Sequence, residues 1–152
     1  MRDILSRVTF FKDLSPEELD QVIAVGREVV YPKDMVFFKE GDRGEALYIV
    51  LEGSVKILKS VGDTAKEPMA FLERGSCFGD MALIDEFPRS ATAIANQDCK
   101  VLFFDKQVLL DLLDRDPVIT SKILWAFCRM LSLRLREASD RIVSLSSFVR
   151  PN

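Results

Sequence analysis

The middle of the chain is divided into short β-type segments by turns that contain glycine. Runs of β-branched and aromatic residues occupy positions 29–31, 35–38, 47–51, 55–58, 69–72, 91–95 and 101–104. Five of the seven glycines fall in the turns between them, where positive φ angles are tolerated. Many short strands at close spacing are typical of a jelly roll or barrel. The sequence therefore predicts an α+β protein, mainly β, built on a double-stranded β-helix or jelly-roll barrel.

A short helix is predicted before the β-rich region. Ser15 can cap its first turn, Pro16 suits the first helical position, and Glu18 stands where a capping box places its glutamate. We expect this helix to end near Val25. Gly26 is then expected to close it in the left-handed conformation.

The sequence pattern of the C-terminal third is again typical of helices. Asp105 is expected to cap one helix, and Asp116 to cap a longer one that begins at Pro117. The 152 residues then form a single domain, with helical residues 8–27, a β-barrel over 28–104 and C-terminal helices over 105–145.

The last predicted helix carries an apolar seam with alternating spacings of four and three residues. Its members are Leu124, Cys128, Leu131, Leu135, Ala138, Ile142 and Leu145. The seam can pack on the chain's own barrel, which we expect for the first turns around Trp125 and Phe127. Beyond Arg134 the barrel is expected to be out of reach, and a homodimer through this helix is favoured over a monomer.

Several classes of function are disfavoured by composition. The chain has no histidine, the commonest general base and metal ligand, so we expect neither a catalytic nor a metal site. A net charge of −3 provides no broad basic field for nucleic acid. The three cysteines form no metal-binding or disulfide pattern and are expected to be reduced apolar filler. Without a membrane-length apolar run or a secretory signal, a cytoplasmic protein is expected.

Residues 78–92, FGDMALIDEFPRSAT, carry the strongest chemical pattern. Gly79 allows close backbone approach, and residues 80–84 can form one helical turn whose free amides face an anion. Arg89 adds a planar fork of donors that suits phosphate oxygens. Each part alone has a common structural explanation. Arg89, for example, could be an exposed residue after a turn proline. Together they predict a compact phosphate-binding site.

This order of residues resembles the phosphate-binding cassette of the cyclic-nucleotide-binding domain family, and we call residues 78–92 the cassette. In that family an F-G-E-hydrophobic-A-L segment leads to P-R-[ST/A]-A-T. Residues 41–55 resemble the family's glycine-punctuated hairpin, and residues 10–15 resemble its usual beginning. The similarity extends over about residues 8–142. It implies a catabolite-activator-like sensor domain that binds cyclic AMP or cyclic GMP.

The resemblance also implies roles for individual residues. Gly79, Met81 and Ala82 would offer amides or close packing to the cyclic phosphate, with Phe78 at the start of the cassette. Arg89 would pair with the phosphate charge, and Ser90 and Ala91 would add contacts nearby. A residue of the C-terminal helix between positions 123 and 135 would cover the base. The serine at position 90 does not decide whether the bound base is adenine or guanine.

Asp80 stands where the family has a glutamate that accepts hydrogen bonds from the ribose 2′-hydroxyl. Its side chain is one methylene shorter, so its carboxylate ends about 1 Å short of the family position. A bridging water or a shifted loop could close that gap. Alternatives to cyclic nucleotide binding are a ligand-free interaction module with a degenerate site, or a binder of another cyclic phosphate such as a cyclic dinucleotide.

Many bacterial members of the family continue into a DNA-binding winged helix, which residues 140–151 resemble only at its start. This chain by itself is therefore not expected to bind DNA. We expect it either to act through a protein effector or to have been separated from an effector domain. A metal-dependent cupin enzyme, which would share the jelly roll, usually needs histidine ligands that are missing here.

Overall fold

The computed structural model describes residues 1–61 and 65–149. Five helices and eight strands are defined in this part of the chain. They follow in the order α1 (Arg2–Leu5), α2 (Pro16–Val25), β1 (Arg27–Tyr31), β2 (Val36–Phe38), β3 (Ala46–Glu52), β4 (Val55–Val61), β5 (Ala65–Leu72), β6 (Cys77–Phe78), α3 (Met81–Ile84), β7 (Thr92–Ala95), β8 (Cys99–Asp105), α4 (Lys106–Arg115) and α5 (Pro117–Val149).

The strands form two antiparallel four-stranded sheets. One has the order β1-β8-β3-β6 and the other the order β2-β7-β4-β5. No hydrogen-bonded strand joins the two sheets within the described residues, so they do not form a closed barrel. The expected α+β class with a β-rich middle is confirmed as two antiparallel sheets with helices.

The glycine at the end of β3 does not close a hairpin. Residues 41–55 were predicted to form one, but β3 pairs with β6 and β8, whereas β4 pairs with β5 and β7. The chain thus passes from one sheet to the other at Gly53, whose φ is +86°. The predicted turn at positions 62–63 lies outside the described residues.

Strand β3 is buried on both faces, which explains its continuous apolar run. Leu47, Ile49 and Leu51 point toward the helices, and Tyr48 and Val50 point toward the second sheet. Alternating side chains of a strand face opposite sides of a sheet, so one strand serves two apolar clusters. The helical cluster also contains Phe11 from the N-terminal segment, Leu109 from α4 and Phe127 from α5.

The predicted helix caps are mostly confirmed. Ser15 accepts a hydrogen bond from the Glu18 amide, and the Glu18 carboxylate accepts one from the Ser15 amide, which completes a capping box. Asp105 and Asp116 accept amide hydrogen bonds at the starts of α4 and α5. Gly26 is the exception, because it is extended rather than left-handed. A Cβ there would lie 2.8 Å from Phe104, so close packing on β8 requires the glycine.

Among residues 117–144 of the C-terminal helix α5, the buried side chains all lie in the first half. Phe127 is buried and stacks on Phe10 with ring centroids 4.3 Å apart. Trp125 was predicted to pack on the barrel but is 69% exposed. Cys128 is exposed as well, unlike the buried Cys99, so it is not core filler. Beyond Arg134, the apolar residues Leu135, Ile142 and Val143 are exposed, as the sequence predicted for this part of the helix.

No helix in residues 1–61 or 65–149 is long and apolar enough to span a membrane.

Candidate ligand-binding site

The cassette begins at the end of the short strand β6 and bounds a cavity. Phe78 ends β6, Gly79 turns the backbone with a φ of +78°, and Asp80 precedes the four residues of α3. The cavity measures about 460 Å³ and is lined mainly by apolar residues. Its lining includes Phe38, Ile57, Leu72, Phe78, Gly79, Asp80, Met81, Phe87, Arg89, Ser90, Ala91 and Arg134.

Arg89 is buried against the floor of this cavity. Only 8% of the residue is exposed, which excludes the reading of it as an exposed residue after a turn proline. Its guanidinium donates to the carbonyl oxygens of Gly79 at 3.0 Å and Ala46 at 2.7 Å. The Phe38 ring lies beneath it, with the guanidinium carbon 4.1 Å from the ring centroid. Arg89 is therefore fixed before any ligand binds.

The guanidinium of Arg89 retains unused donor capacity. Its Nε is buried and has no hydrogen-bond partner among residues 1–61 and 65–149. No carboxylate of that part of the chain forms an ion pair with it, although Asp80 and Asp42 act on it at longer range. Burial lowers the pKa of Arg89 from its usual value, partly offset by Tyr48, Asp80 and Asp42. A buried cation without a counter-ion is costly, so the position favours an anion.

Gly79 makes room for that guanidinium. A Cβ at this position would lie 2.8 Å from both the Ala46 carbonyl oxygen and the Arg89 Nη1. The glycine expected to allow close approach of a ligand therefore also allows close approach of the arginine. Any side chain here would push Arg89 from its place.

Asp80 is paired with a residue of α5. Its carboxylate is buried, and Oδ2 lies 3.1 Å from Nη1 of Arg134. The two form an ion pair whose N–H is poorly aligned, because Oδ2 has no hydrogen bond from the described residues. Asp80 does not cap α3 with its side chain either. The sequence did not predict this pairing, which joins positions 54 residues apart.

Three of the four remaining predicted site residues, Met81, Ser90 and Ala91, border the same cavity. Met81 and Ser90 are exposed, and Ala91 lies just before β7. Ala82 is the second residue of α3, and its amide contact stays a prediction. The structure thus brings Phe78, Gly79, Asp80, Met81, Arg89, Ser90 and Ala91 together at one cavity.

Three contributors were missed by the sequence analysis. Phe38 lies under Arg89, Arg134 reaches the cavity from α5, and the Lys59 ammonium of β4 donates to the Ser90 carbonyl at 2.6 Å. Arg134 does fall within the 123–135 range expected to cover a ligand. The other two had no local signal, because their partners are distant in sequence.

We also searched residues 1–61 and 65–149 for groups of side chains that could bind a metal ion. No cluster of three or more cysteine, aspartate or glutamate side chains there is arranged to hold a metal ion.

A family model for the cyclic nucleotide-binding domain matches residues 28–116, more than half of the 152 residues. The chain belongs to the cyclic nucleotide-binding domain family. The match includes β1 except for its first residue, all of β2 to β8, the cassette and α4, so the resemblance predicted from the cassette is confirmed.

This cyclic nucleotide-binding domain is similar to bacterial regulators. It is 35% identical over 138 residues to the cyclic AMP receptor protein of Thermus thermophilus, which covers 91% of this chain and 62% of that protein. The crystal structure of Thermus thermophilus catabolite activator protein matches with a TM-score of 0.82 and 33% identity, over 91% of this chain and 63% of that one. The N-terminal domain of a Streptomyces coelicolor A3(2) transcriptional regulator matches with a TM-score of 0.80 and 31% identity, over 91% and 96%. The chain therefore spans less than two thirds of the first two proteins.

Proposed function

We propose that this chain is a regulatory sensor domain that binds cyclic AMP or cyclic GMP in the cassette cavity. Binding is transmitted through α5 to a second copy of the chain or to a protein effector. The observation that carries this proposal is the buried Arg89, which among the described residues has no ion-pair partner and no hydrogen-bond partner for its Nε.

The shape of the cavity supports a nucleotide better than a bare phosphate. Its volume of about 460 Å³ lies within the usual range for small-molecule sites. Apolar side chains such as Ile57, Leu72 and Phe87 suit a base and ribose, while Arg89 suits the cyclic phosphate.

Individual contacts follow from this placement. In the proposed complex Arg89 binds the phosphate, and Gly79, Met81 and Ala82 approach it with their backbone. Phe78, Ser90 and Ala91 complete the wall around it. Asp80 faces the ribose.

The proposal also covers the assembly. Residues 1–152 act as one domain with a jelly-roll arrangement of the two sheets, and α5 mediates a homodimer. The exposed apolar residues Leu131, Leu135 and Ile142 support this role of α5. We propose a cytoplasmic, non-enzymatic protein that does not bind DNA through this chain alone.

Calorimetric titration with cyclic AMP and cyclic GMP tests the proposal. Wild-type protein should bind at least one of them, with 5′-AMP as the non-cyclic control. Arg89→Gln should weaken binding by about thirtyfold or more, because a desolvated phosphate would lose its charge partner. Arg74→Gln removes an exposed arginine from the turn before β6 and should bind like wild type.

A ligand-free interaction module is the second candidate, and the ion pair of Asp80 with Arg134 favours it, because the ribose-facing carboxylate is already occupied. A thermal-shift panel of cyclic nucleotides and cyclic dinucleotides separates the candidates. A true ligand at a hundredfold excess over its Kd should add about 2.7 kcal/mol of stability. No shift with any ligand, with binding gained on Asp80→Glu, would favour the ligand-free module.

A further inference from the structure

Phe87 is an aromatic side chain with little cover at the mouth of the cavity. It is 76% exposed, more than any other large apolar side chain that the structure describes. It nevertheless lines the cavity, together with Ile57, Leu72 and Pro88. None of these four side chains carries a hydrogen-bonding group, so they can hold a flat apolar surface but cannot read the polar edge of a base. An exposed aromatic ring beside an apolar cavity favours burial against a ligand.

The sheet below the cavity separates an anion-binding end from an apolar end. Phe38 of β2 lies beneath the Arg89 guanidinium. Phe38 and Ile57 of β4 both pair with Ala93 of β7, from opposite sides. They are therefore two strand spacings, about 10 Å, apart. A phosphate bound at Arg89 leaves the rest of its ligand lying over β4 and β5, against Ile57 and Leu72.

The backbone of Phe87 is fixed although its side chain is exposed. Its amide donates to the Asp85 carboxylate at 3.1 Å. Pro88 follows, and a proline restricts the residue before it to extended backbone. The backbone of Arg89 is then held by hydrogen bonds with residues 41–42. The Phe87 ring thus has a fixed point of attachment and needs only side-chain rotation to contact a ligand.

Helix α5 offers no apolar cover for the cavity in residues 123–135, where a residue was expected to cover the base. All of these positions are described, and Arg134 alone among them lines the cavity. Its guanidinium is paired with Asp80 at 3.1 Å. The aromatic cover for a base is therefore available on the cassette and not on α5.

We propose that Phe87 stacks on the base of the bound cyclic nucleotide and gives the cavity a preference for purines over pyrimidines. This inference rests on the proposed function for its ligand. A purine presents two fused rings to the face of Phe87 and a pyrimidine presents one, so stacking contributes more to binding of the purine. The preference follows ring size, because Ile57, Leu72 and Pro88 offer no side-chain hydrogen bond to the base.

Calorimetric titration with cyclic AMP and cyclic CMP tests the role of Phe87. Wild-type protein should bind cyclic AMP about tenfold more tightly than cyclic CMP. Phe87→Ala should weaken binding of cyclic AMP about tenfold and of cyclic CMP about threefold, so that the preference falls to about threefold. Phe87→Tyr keeps the ring and should restore both affinities.

Ile84→Ala is the matched control. It removes an apolar side chain that is 52% exposed on the same cassette but does not line the cavity, so both affinities should stay at wild-type values. Thermal unfolding of the ligand-free variants should match wild type, which separates lost stacking from lost folding. Equal affinities of wild type and Phe87→Ala, or an unchanged purine preference in Phe87→Ala, would overturn this inference and leave the proposed function in place. Absence of binding of cyclic AMP and cyclic GMP to wild type would instead refute the proposed function, and this inference with it.

Discussion

Gly53 and Gly41 have nearly the same backbone conformation, with φ angles of +86° and +89°. Their surroundings differ completely. A Cβ on Gly53 would lie 2.3 Å from the carbonyl oxygen of Asp98, whereas a Cβ on Gly41 would meet nothing within 4 Å. Comparing the two positions therefore separates two effects of adding a side chain. One is the backbone strain of a positive φ, and the other is the steric clash at Gly53, where the chain passes from one sheet to the other.

Replacing each glycine by alanine should reveal the two costs. Gly41→Ala should lower the free energy of unfolding by about 1 kcal/mol, the strain of a side chain in left-handed backbone. Gly53→Ala should lower it by about 3 kcal/mol or more, because the Asp98 backbone must also move. Urea denaturation measures both. Equal losses would mean that the crossing at Gly53 is not crowded.

Residue-level prediction from sequence succeeded where a signal was local. Arg89 and Gly79 stand ten positions apart in one motif, and the structure joins them by a hydrogen bond. Asp80 was recognised, but its partner Arg134 could not be, because no spacing rule connects a cassette to a distant helix. Phe38 was also missed. An aromatic residue in a strand is ordinarily part of the core, and no spacing rule connects it to Arg89.

At the scale of elements, α5 consists of two halves with different surroundings. Ile119, Ile123 and Phe127 are buried against the N-terminal segment and α4, whereas Leu135 and Ile142 are 69% and 67% exposed. An apolar stripe that continues past its own core supports a partner helix.

Charge substitution on α5 tests the homodimer. Leu135→Asp lies on the seam and should convert a dimer to a monomer, because it would bury carboxylates at the interface. Leu133→Asp changes a residue that is 58% exposed but lies off the seam, so it should leave the dimer intact. Light scattering after size-exclusion chromatography distinguishes the two masses. A wild-type monomer, or equal effects of both variants, would contradict the homodimer.

Element prediction was most accurate where the apolar pattern was long. The seven strand runs were all found, but β6 was missed because it has only two residues and is defined by pairing with Tyr48 and Ile49. The hairpin expected over residues 41–55 was wrong for a related reason, because β3 and β4 do not pair. A tight glycine turn favours a hairpin locally, and only long-range pairing shows that the chain changes sheets there.

At the scale of the whole molecule, the pH dependence of stability is set by carboxylates. The chain has no histidine, and burial raises the pKa values of the Cys77 and Cys99 thiols. Burial also raises the pKa of Tyr48 to about 12. The pKa of Glu18 is lowered, first by its hydrogen bond from Lys122, and the pKa of Asp20 is lowered by its hydrogen bond from Arg2.

Groups with a lowered pKa hold fewer protons in the folded chain than in the unfolded one, so stability rises with pH across their titration and is constant above it. The free energy of unfolding should therefore stay level from about pH 8 to about pH 5.5, and decrease as the pH falls through about 4.5. Urea denaturation at a series of pH values measures the profile.

Glu18→Gln keeps the capping box, because glutamine also serves at that position, but removes the charge that pairs with Lys122. The acid-side decrease should become shallower in this variant. Glu73→Gln, which changes an exposed carboxylate without an ion pair in the described chain, should leave the profile unchanged. A stability change between pH 8 and pH 6, or an identical acid limb in Glu18→Gln, would show that other groups control the folded state. If the free energy of unfolding is instead constant through the neutral range, ligand titrations at different neutral pH values use protein of the same stability. A change in ligand affinity with pH would then arise in the cavity and not from partial unfolding.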